Sequence, residues 1–372
     1  MRLLLSEFPL VLITTYFGIY FRVSNIRPMD IVQQTLELYE TVCSCCAVIS
    51  TRHSRVQFLA LLLMLGCSLG PVSNGAVKLD TVGAFLTSHG YGGAQLVGSG
   101  RFYHLPVRSN GKLGNLVVDT GTPMTLIFRS NLNRLGLMET RTNRFASGVF
   151  GRGQELYGLA MVPSLFTGNC ILSNIPVVVT SDLGSMQRYG TPYGCLGLRE
   201  LTSFGAILDL AHHMVYFRPA PPDRQVSVAL KSMLQRAGWK PVQLFQARQQ
   251  LHAPGRIAGI PCRLIVDTGT PLTAVDRGFA LRAKLGGSPT EINASGIGRS
   301  GGRVSMTSFS SLSIGDYQVK GASAAVVNLD SAFLGRGSEE VAGLLGVEYL
   351  ADNSAILDFI SGTLYLRPHF RR

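Results

Sequence analysis

Asp119-Thr120-Gly121-Thr122-Pro123 and Asp267-Thr268-Gly269-Thr270-Pro271 are one pentapeptide written twice, each directly after an apolar run, Leu116-Val117-Val118 and Leu264-Ile265-Val266. The runs predict buried strands, so each carboxylate is expected at a strand end, held in a tight loop by a small hydroxyl residue and a glycine. Two such loops brought together make a carboxylate dyad. Like charges a few ångströms apart resist simultaneous ionisation, so a dyad keeps one proton and offers a general base beside a general acid.

The repeat extends far beyond the pentapeptide. At the same offset of 148, Gly90-Tyr91 falls on Gly238-Trp239, and His104, Pro106, Arg108 and Gly111 fall on His252, Pro254, Arg256 and Gly259; Ala146-Ser147-Gly148 falls on Ala294-Ser295-Gly296. Near the end of each copy the offset becomes 149. There Gly194-Cys195-Leu196-Gly197 matches Gly343-Leu344-Leu345-Gly346, Ala206-Ile207-Leu208-Asp209 matches Ala355-Ile356-Leu357-Asp358, and Tyr216-Phe217-Arg218-Pro219 matches Tyr365-Leu366-Arg367-Pro368. Chance does not produce such a ladder.

Each copy runs from an apolar strand through Asp-Thr-Gly-Thr and a glycine-rich hairpin to short strands, an apolar segment around Gly-x-Leu-Gly and a closing strand. That order resembles the retropepsin-type aspartic protease domain, and the whole resembles two such lobes fused in one chain, as in pepsin-like enzymes. Thr122 and Thr270 stand where viral retropepsins commonly carry alanine, which makes the loops closer to the pepsin-like form. The resemblance covers residues 82–220 and 228–368. It implies a mainly β fold of two homologous acid-protease-type β-barrel lobes with a few short helices, related by a pseudo-twofold axis.

The implied activity is an aspartic endopeptidase acting on polypeptide substrates, with Asp119 and Asp267 sharing a water and one proton. Thr120 and Thr268 would interlock the two loops, Gly121 and Gly269 would allow the close turn, and Thr122 and Thr270 would donate to the carboxylates. Hairpins around Gly148 and Gly151, and around Gly296 and Gly298, would be flaps closing over an extended peptide. No metal or organic cofactor is required. Hydroxyl donors lower a carboxylate pKa, so an acidic to weakly acidic optimum is expected. The competing expectation is a noncatalytic peptide-binding or assembly protein on the same fold, since a fold alone does not establish activity. Two complete loops favour the enzyme, because a binding module has no need of two ionisable groups at the lobe junction.

Composition fits this division. The 372 residues, 46% of them hydrophobic, have room for a leader at 1–76 and lobes at 77–220 and 221–372. The strand-like segments are short and β-branched, with candidate helices at Asp80–His89, Ser227–Ala237 and Gly278–Leu285, and a proline-rich linker from Arg218 to Arg224 separates the copies. In the leader, Arg52-His53-Ser54-Arg55 precedes an apolar segment from Val56 to Leu69 and a small-residue stretch, Gly70 to Ala76. This is the pattern of a secretory signal, and its apolar run is shorter than the ~20 residues of a membrane span. Residues 1–50 then imply either a translation start later than Met1 or a separate membrane contact at Phe8–Phe21. An exported monomer, an intramolecular pseudo-dimer secreted or tethered by its leader, is the expectation, with the mature chain starting near Val77. Met64-Leu65-Gly66-Cys67 fits a lipoprotein box poorly.

The remaining features are weaker. A net charge of +12 with dispersed basic residues and no basic–aromatic module does not predict nucleic-acid binding. Gly296-Ile297-Gly298-Arg299-Ser300-Gly301 matches a dinucleotide string without the strand and helix that give it meaning, and reads as a flap. His104 and His252 recur without metal-ligand spacing and read as structural. Asp209 and Asp358 recur just before turns and read as caps of local donors. Tyr157 is a candidate flap tyrosine, although the structural reading is favoured. Cys195 and Cys262 read as small apolar core residues.

Overall fold

The computed structural model describes residues 81–98, 102–182, 192–218, 221, 223–296, 299–320, 322–334 and 340–367. Val77–Arg372 forms one compact unit, separate from Met1–Ala76. The leader signal, Phe8–Phe21, the lipoprotein-like box and part of the proline linker lie outside the described residues. Among the described residues no helix is long and apolar enough to cross a membrane.

The first copy runs α1 (Thr81–Ser88), β1 (Gly92–Gln95), β2 (His104–Ser109), β3 (Lys112–Val118), β4 (Leu126–Phe128), α2 (Leu132–Leu135), β5 (Thr140–Gly148), β6 (Gly151–Thr167), β7 (Cys170–Thr180), β8 (Gly194–Leu196), α3 (Leu198–Ser203), β9 (Ile207–Asp209) and β10 (Met214–Phe217). The second runs α4 (Arg224–Arg236), β11 (Lys240–Gln243), β12 (Phe245–Ala247), β13 (Gln250–Ile257), β14 (Ile260–Val266), β15 (Ala274–Asp276), α5 (Arg277–Arg282), β16 (Ser288–Gly296), β17 (Arg299–Ser308), β18 (Ser311–Ile314), β19 (Tyr317–Lys320), β20 (Ser323–Val327), α6 (Ser331–Leu334), β21 (Val341–Leu345), α7 (Val347–Asp352), β22 (Ile356–Asp358) and β23 (Thr363–Leu366).

Each copy builds its own sheet. The first has the order β2-β3-β8-β4-β7-β6-β5, and in the second β14 lies beside β21 and β21 beside β15 just as β3 lies beside β8 and β8 beside β4. In both, the strand bearing the pentapeptide pairs in parallel with the Gly-x-Leu strand: Val117 with Cys195, and Ile265 with Leu344. The last residues of β3 and β14 are buried on both faces, as their unbroken apolar runs require. A third sheet, β1-β10-β9-β22-β23-β11, takes three strands from each copy. At its centre β9 meets β22 antiparallel, with Leu208 opposite Leu357, so the two copies are pseudo-twofold related lobes of one mainly β fold.

Two helices cover this shared sheet. Val82 and Leu86 of α1, and Val226, Leu230 and Leu234 of α4, pack with Tyr216, Trp239, Ile356 and Tyr365 in one buried cluster. The i, i+4, i+8 spacing in α4 is the amphipathic stripe a helix needs to lie on a sheet, and Asp223 caps its start by accepting from the Gln225 N–H. Asp276 does the same for α5, accepting from Gly278 and Phe279. All three candidate helices form, with ends shifted by a few residues. The short helices α2, α3, α6 and α7 were not expected, being four to six residues long and too brief to leave a periodic signal.

Candidate active site

The two pentapeptides meet where the lobes join. Thr120 Oγ1 donates to the Val266 carbonyl at 2.7 Å and accepts from the Thr268 N–H at 3.0 Å. Thr268 Oγ1 returns both bonds, donating to the Val118 carbonyl at 2.8 Å and accepting from the Thr120 N–H at 3.1 Å. Both threonines are fully buried. Each bond is worth about 1 kcal/mol net, but leaving buried partners unsatisfied costs more, so the four together hold the loops in register.

This register brings the carboxylates together. A Cβ on Gly121 would meet the Asp267 carboxyl group at 2.5–2.7 Å, and one on Gly269 would strike the Asp119 carboxyl group more closely still. Only glycine lets each backbone pass so near the opposite acid. Asp119 Oδ1 accepts from the N–H of Gly121 at 2.9 Å and of Thr122 at 3.1 Å, and its Oδ2 from Thr122 Oγ1 at 2.7 Å. Asp267 accepts from the Gly269 N–H at 2.8 Å and from Thr270 Oγ1 at 2.7 Å.

Burial raises both aspartates above the ordinary carboxylate range, and the threonine hydroxyls and loop amides only partly offset it. For Asp267 the neighbouring Asp119 charge raises it further. The acidic optimum expected from the donors alone is therefore opposed by a larger influence of opposite sign. Two buried carboxyls this close, with more donors on one than on the other, resist simultaneous ionisation.

The hairpins expected as flaps are β5–β6, where Gly148 pairs with Gly151, and β16–β17, where Gly296 pairs with Arg299. Gly298 lies outside the described residues. Strands, not a strand and a helix, flank Gly296–Gly301, as a flap requires and a dinucleotide loop does not. Val149 and Phe150, at the tip of the first hairpin, pack against an apolar cluster of the second lobe that includes Ile265 and Leu344. The Asp330 N–H donates to the Val149 carbonyl at 2.9 Å.

The remaining candidates stand apart from the dyad. Tyr157 is a half-buried residue inside β6, its carbonyl accepting from Thr142 Oγ1. Asp209 accepts from the His212 N–H and Asp358 from the amides of Ile360 and Ser361, both capping turns. His104 pairs with Asn115, while the buried His252 stacks on Phe245. Cys195 and Cys262 are buried and form no disulfide among the described residues. Cys195 is close enough to feel both aspartates: burial first, then their charges, push its thiol well up and keep it neutral.

Sequence reading missed Thr125, Glu200, Thr273 and Glu348. Glu200 Oε2 accepts from the Thr125 N–H, and Glu348 Oε1 from the Thr273 N–H. The two threonines do match at the offset of 148. So do the two glutamates, but the segment around them matches at 149, a frame that sets Glu348 against Arg199 and masks the pair.

The profile of one family, described as aspartyl protease, matches this chain twice, at residues 105–199 and 253–349. No curated protein sequence matches it. Among solved structures, the aspartic proteinase from Irpex lacteus aligns at 13% identity with a TM-score of 0.45, covering 75% of this chain and 97% of that one.

Proposed function

The chain belongs to the aspartyl protease family, and from that premise we propose that it is an endopeptidase in which Asp119 and Asp267 are the catalytic residues. The supporting observation is the reciprocal contact of each carboxyl group with the other loop's glycine, which is the arrangement a shared proton needs. Asp119 takes one more backbone donor than Asp267 and is the better placed to stay ionised. In this reading the Asp119 carboxylate removes a proton from a water held between the two acids. That water attacks the peptide carbonyl while Asp267 gives its proton to the developing oxyanion.

Collapse of the tetrahedral species needs a proton on the leaving nitrogen, which the now protonated Asp119 supplies; as the C–N bond breaks and the C=O reforms, Asp267 takes a proton back from a hydroxyl of the gem-diol, and the dyad returns with one proton. The first hairpin reaches across to the second lobe, which suits a lid that excludes water from an extended peptide. Thr120 and Thr268 keep the lobes in register and Thr122 and Thr270 aim the carboxylates.

The test is turnover of an unstructured polypeptide by the purified chain, with and without pepstatin, a mimic of the tetrahedral intermediate. Cleavage that is suppressed by the mimic and lost in Asp119→Asn supports the proposal. Unchanged cleavage in that variant would sink it.

A further inference from the structure

Behind each carboxylate loop lies another buried acid. Glu200, 3% exposed, accepts through Oε2 from the Thr125 N–H at 2.8 Å and from Thr125 Oγ1 at 2.6 Å; that hydroxyl in turn accepts from the Gly197 N–H at 3.1 Å. In the second lobe Glu348 accepts from the Thr273 N–H at 2.5 Å, and Thr273 Oγ1 accepts from the Gly346 N–H at 3.0 Å. Other bonds complete the same clamp twice. Asp119 N–H donates to the Leu196 carbonyl and Asp267 N–H to that of Leu345, while Leu198 N–H donates to Thr122 and Val347 N–H to Thr270. Each dyad loop is thereby tied at its first, fourth and seventh residues to the turn that follows β8 or β21.

A glutamate in the first turn of a helix ordinarily caps its own helix or favours its dipole. These two reach out to a different loop. They are also not equivalent positions: Glu200 lies three residues after Gly197, whereas Glu348 lies two after Gly346. The two lobes thus supply the same acceptor at the same threonine from positions one residue apart in the first helical turn, which indicates that the acceptor matters and its helix position does not.

Building on the endopeptidase reading, we propose that Glu200 and Glu348 are positioning residues that hold the two dyad loops at the spacing their shared proton requires. Their surroundings differ. Arg199 Nε donates to Glu200 Oε1 at 2.6 Å, whereas Glu348 Oε2 is buried without a hydrogen-bond partner among the described residues. Glutamine can replace the single acceptor that Glu348 provides, but at position 200 it would also cost the Arg199 pairing.

The test compares the full chain with Glu200→Ala, Glu348→Ala, both Gln variants, Thr125→Val and Thr273→Val. Each is read as kcat per folded molecule and KM on an unstructured polypeptide, and separately by carboxyl-carbon NMR titration of the dyad, which needs no turnover. The Ala variants should lose ~10- to 100-fold in kcat with KM nearly unchanged, the scale of a small misplacement of reacting groups. Glu348→Gln should recover more than Glu200→Gln. The two titration steps of the dyad should move closer together as the carboxyls part. Unchanged kcat and unchanged dyad titration in folded Ala variants would overturn the assignment. Should an Ala variant not fold, the Thr→Val and Gln variants decide by the same readouts. A dyad that titrates in two coupled steps without any cleavage would instead count against the endopeptidase reading, and the titrations would still judge the positioning role.

Discussion

Asp119 accepts three hydrogen bonds from its own loop, while Asp267 accepts two, because the Thr270 N–H turns to the Asp267 backbone carbonyl at 3.4 Å instead of to the carboxyl group. Identical pentapeptides have therefore given unequal acids. Behind them the difference continues: Cys195 against Leu344, Glu200 paired with Arg199 against a Glu348 whose Oε2 has no partner among the described residues, and His104 bonded to Asn115 against His252 beside Arg263. Symmetry is kept in the bonds that interlock the loops and tie them to the strands behind, and is broken in the amide and side chains that tune the protons. A dyad needs both, since one acid must donate while the other accepts.

The largest effects should fall equally on the two lobes despite this asymmetry. Asp119→Asn and Asp267→Asn should each cost on the order of 10⁴-fold in kcat, and the double variant little more, since groups acting as a unit fail together. Circular dichroism should show the fold intact. A variant keeping a tenth of parental activity would mean that one lobe works alone.

Next are the glycines. Gly121→Ala would push into the Asp267 carboxyl group and Gly269→Ala into that of Asp119. Each substitution should cost roughly 100-fold in kcat by displacing the opposite acid, although the altered residue lies in the other loop. Retention of full activity by either would show that the carboxyls stand further apart than this geometry has them.

The pH profile separates the loops. Activity should follow a bell whose limbs both lie above the ordinary carboxylate range, because burial raises both acids. Thr122→Val removes a donor that favours ionised Asp119, so it should move the acid limb to higher pH. Thr270→Val should chiefly move the alkaline limb upward. Equal shifts of both limbs in both variants would erase the distinction between the acids.

Smallest are the effects on stability. Burial, reinforced by Arg263 and Arg248, lowers the His252 pKa from 6.5. Its contribution is complete above the unfolded value and is lost as pH falls through the folded one, so His252→Phe should flatten the acid side of the stability curve. Glu348 has the opposite sign: burial raises its pKa from 4.5, so stability falls as pH rises through the folded value. Glu348→Gln should therefore gain most, relative to the parent, on that side. Urea unfolding across pH would show both slopes, or their absence.

Much of this was legible in the chain. Repetition announced two lobes, and the apolar runs before each Asp-Thr-Gly-Thr located the strand ends, because burial on both faces leaves no polar alternation. Glycine and threonine at fixed places declared a tight, donor-rich turn. These are short-range facts, carried by neighbouring residues. The interlock of Thr120 with Thr268, spanning 148 residues, was legible only through the family resemblance. The glutamate anchors were harder to see: they keep the 148 offset of their threonines, 75 residues away in each copy, but the segment around them matches at 149, and nothing local ties an acid to a threonine so far off.

The order of the proton affinities belongs to tertiary structure for the same reason. The sequence by itself determined two carboxylates, two strand-end loops and a duplicated mainly β architecture, through local hydrophobic patterning and turn chemistry. Only the folded molecule decided that burial outweighs the threonine donors, that one loop gives two amides to its acid and the other gives one, and that Phe150 of one hairpin rests on the opposite lobe. Desolvation and hydrogen-bond geometry depend on everything packed around a group, and that packing is set by contacts between segments far apart in the chain.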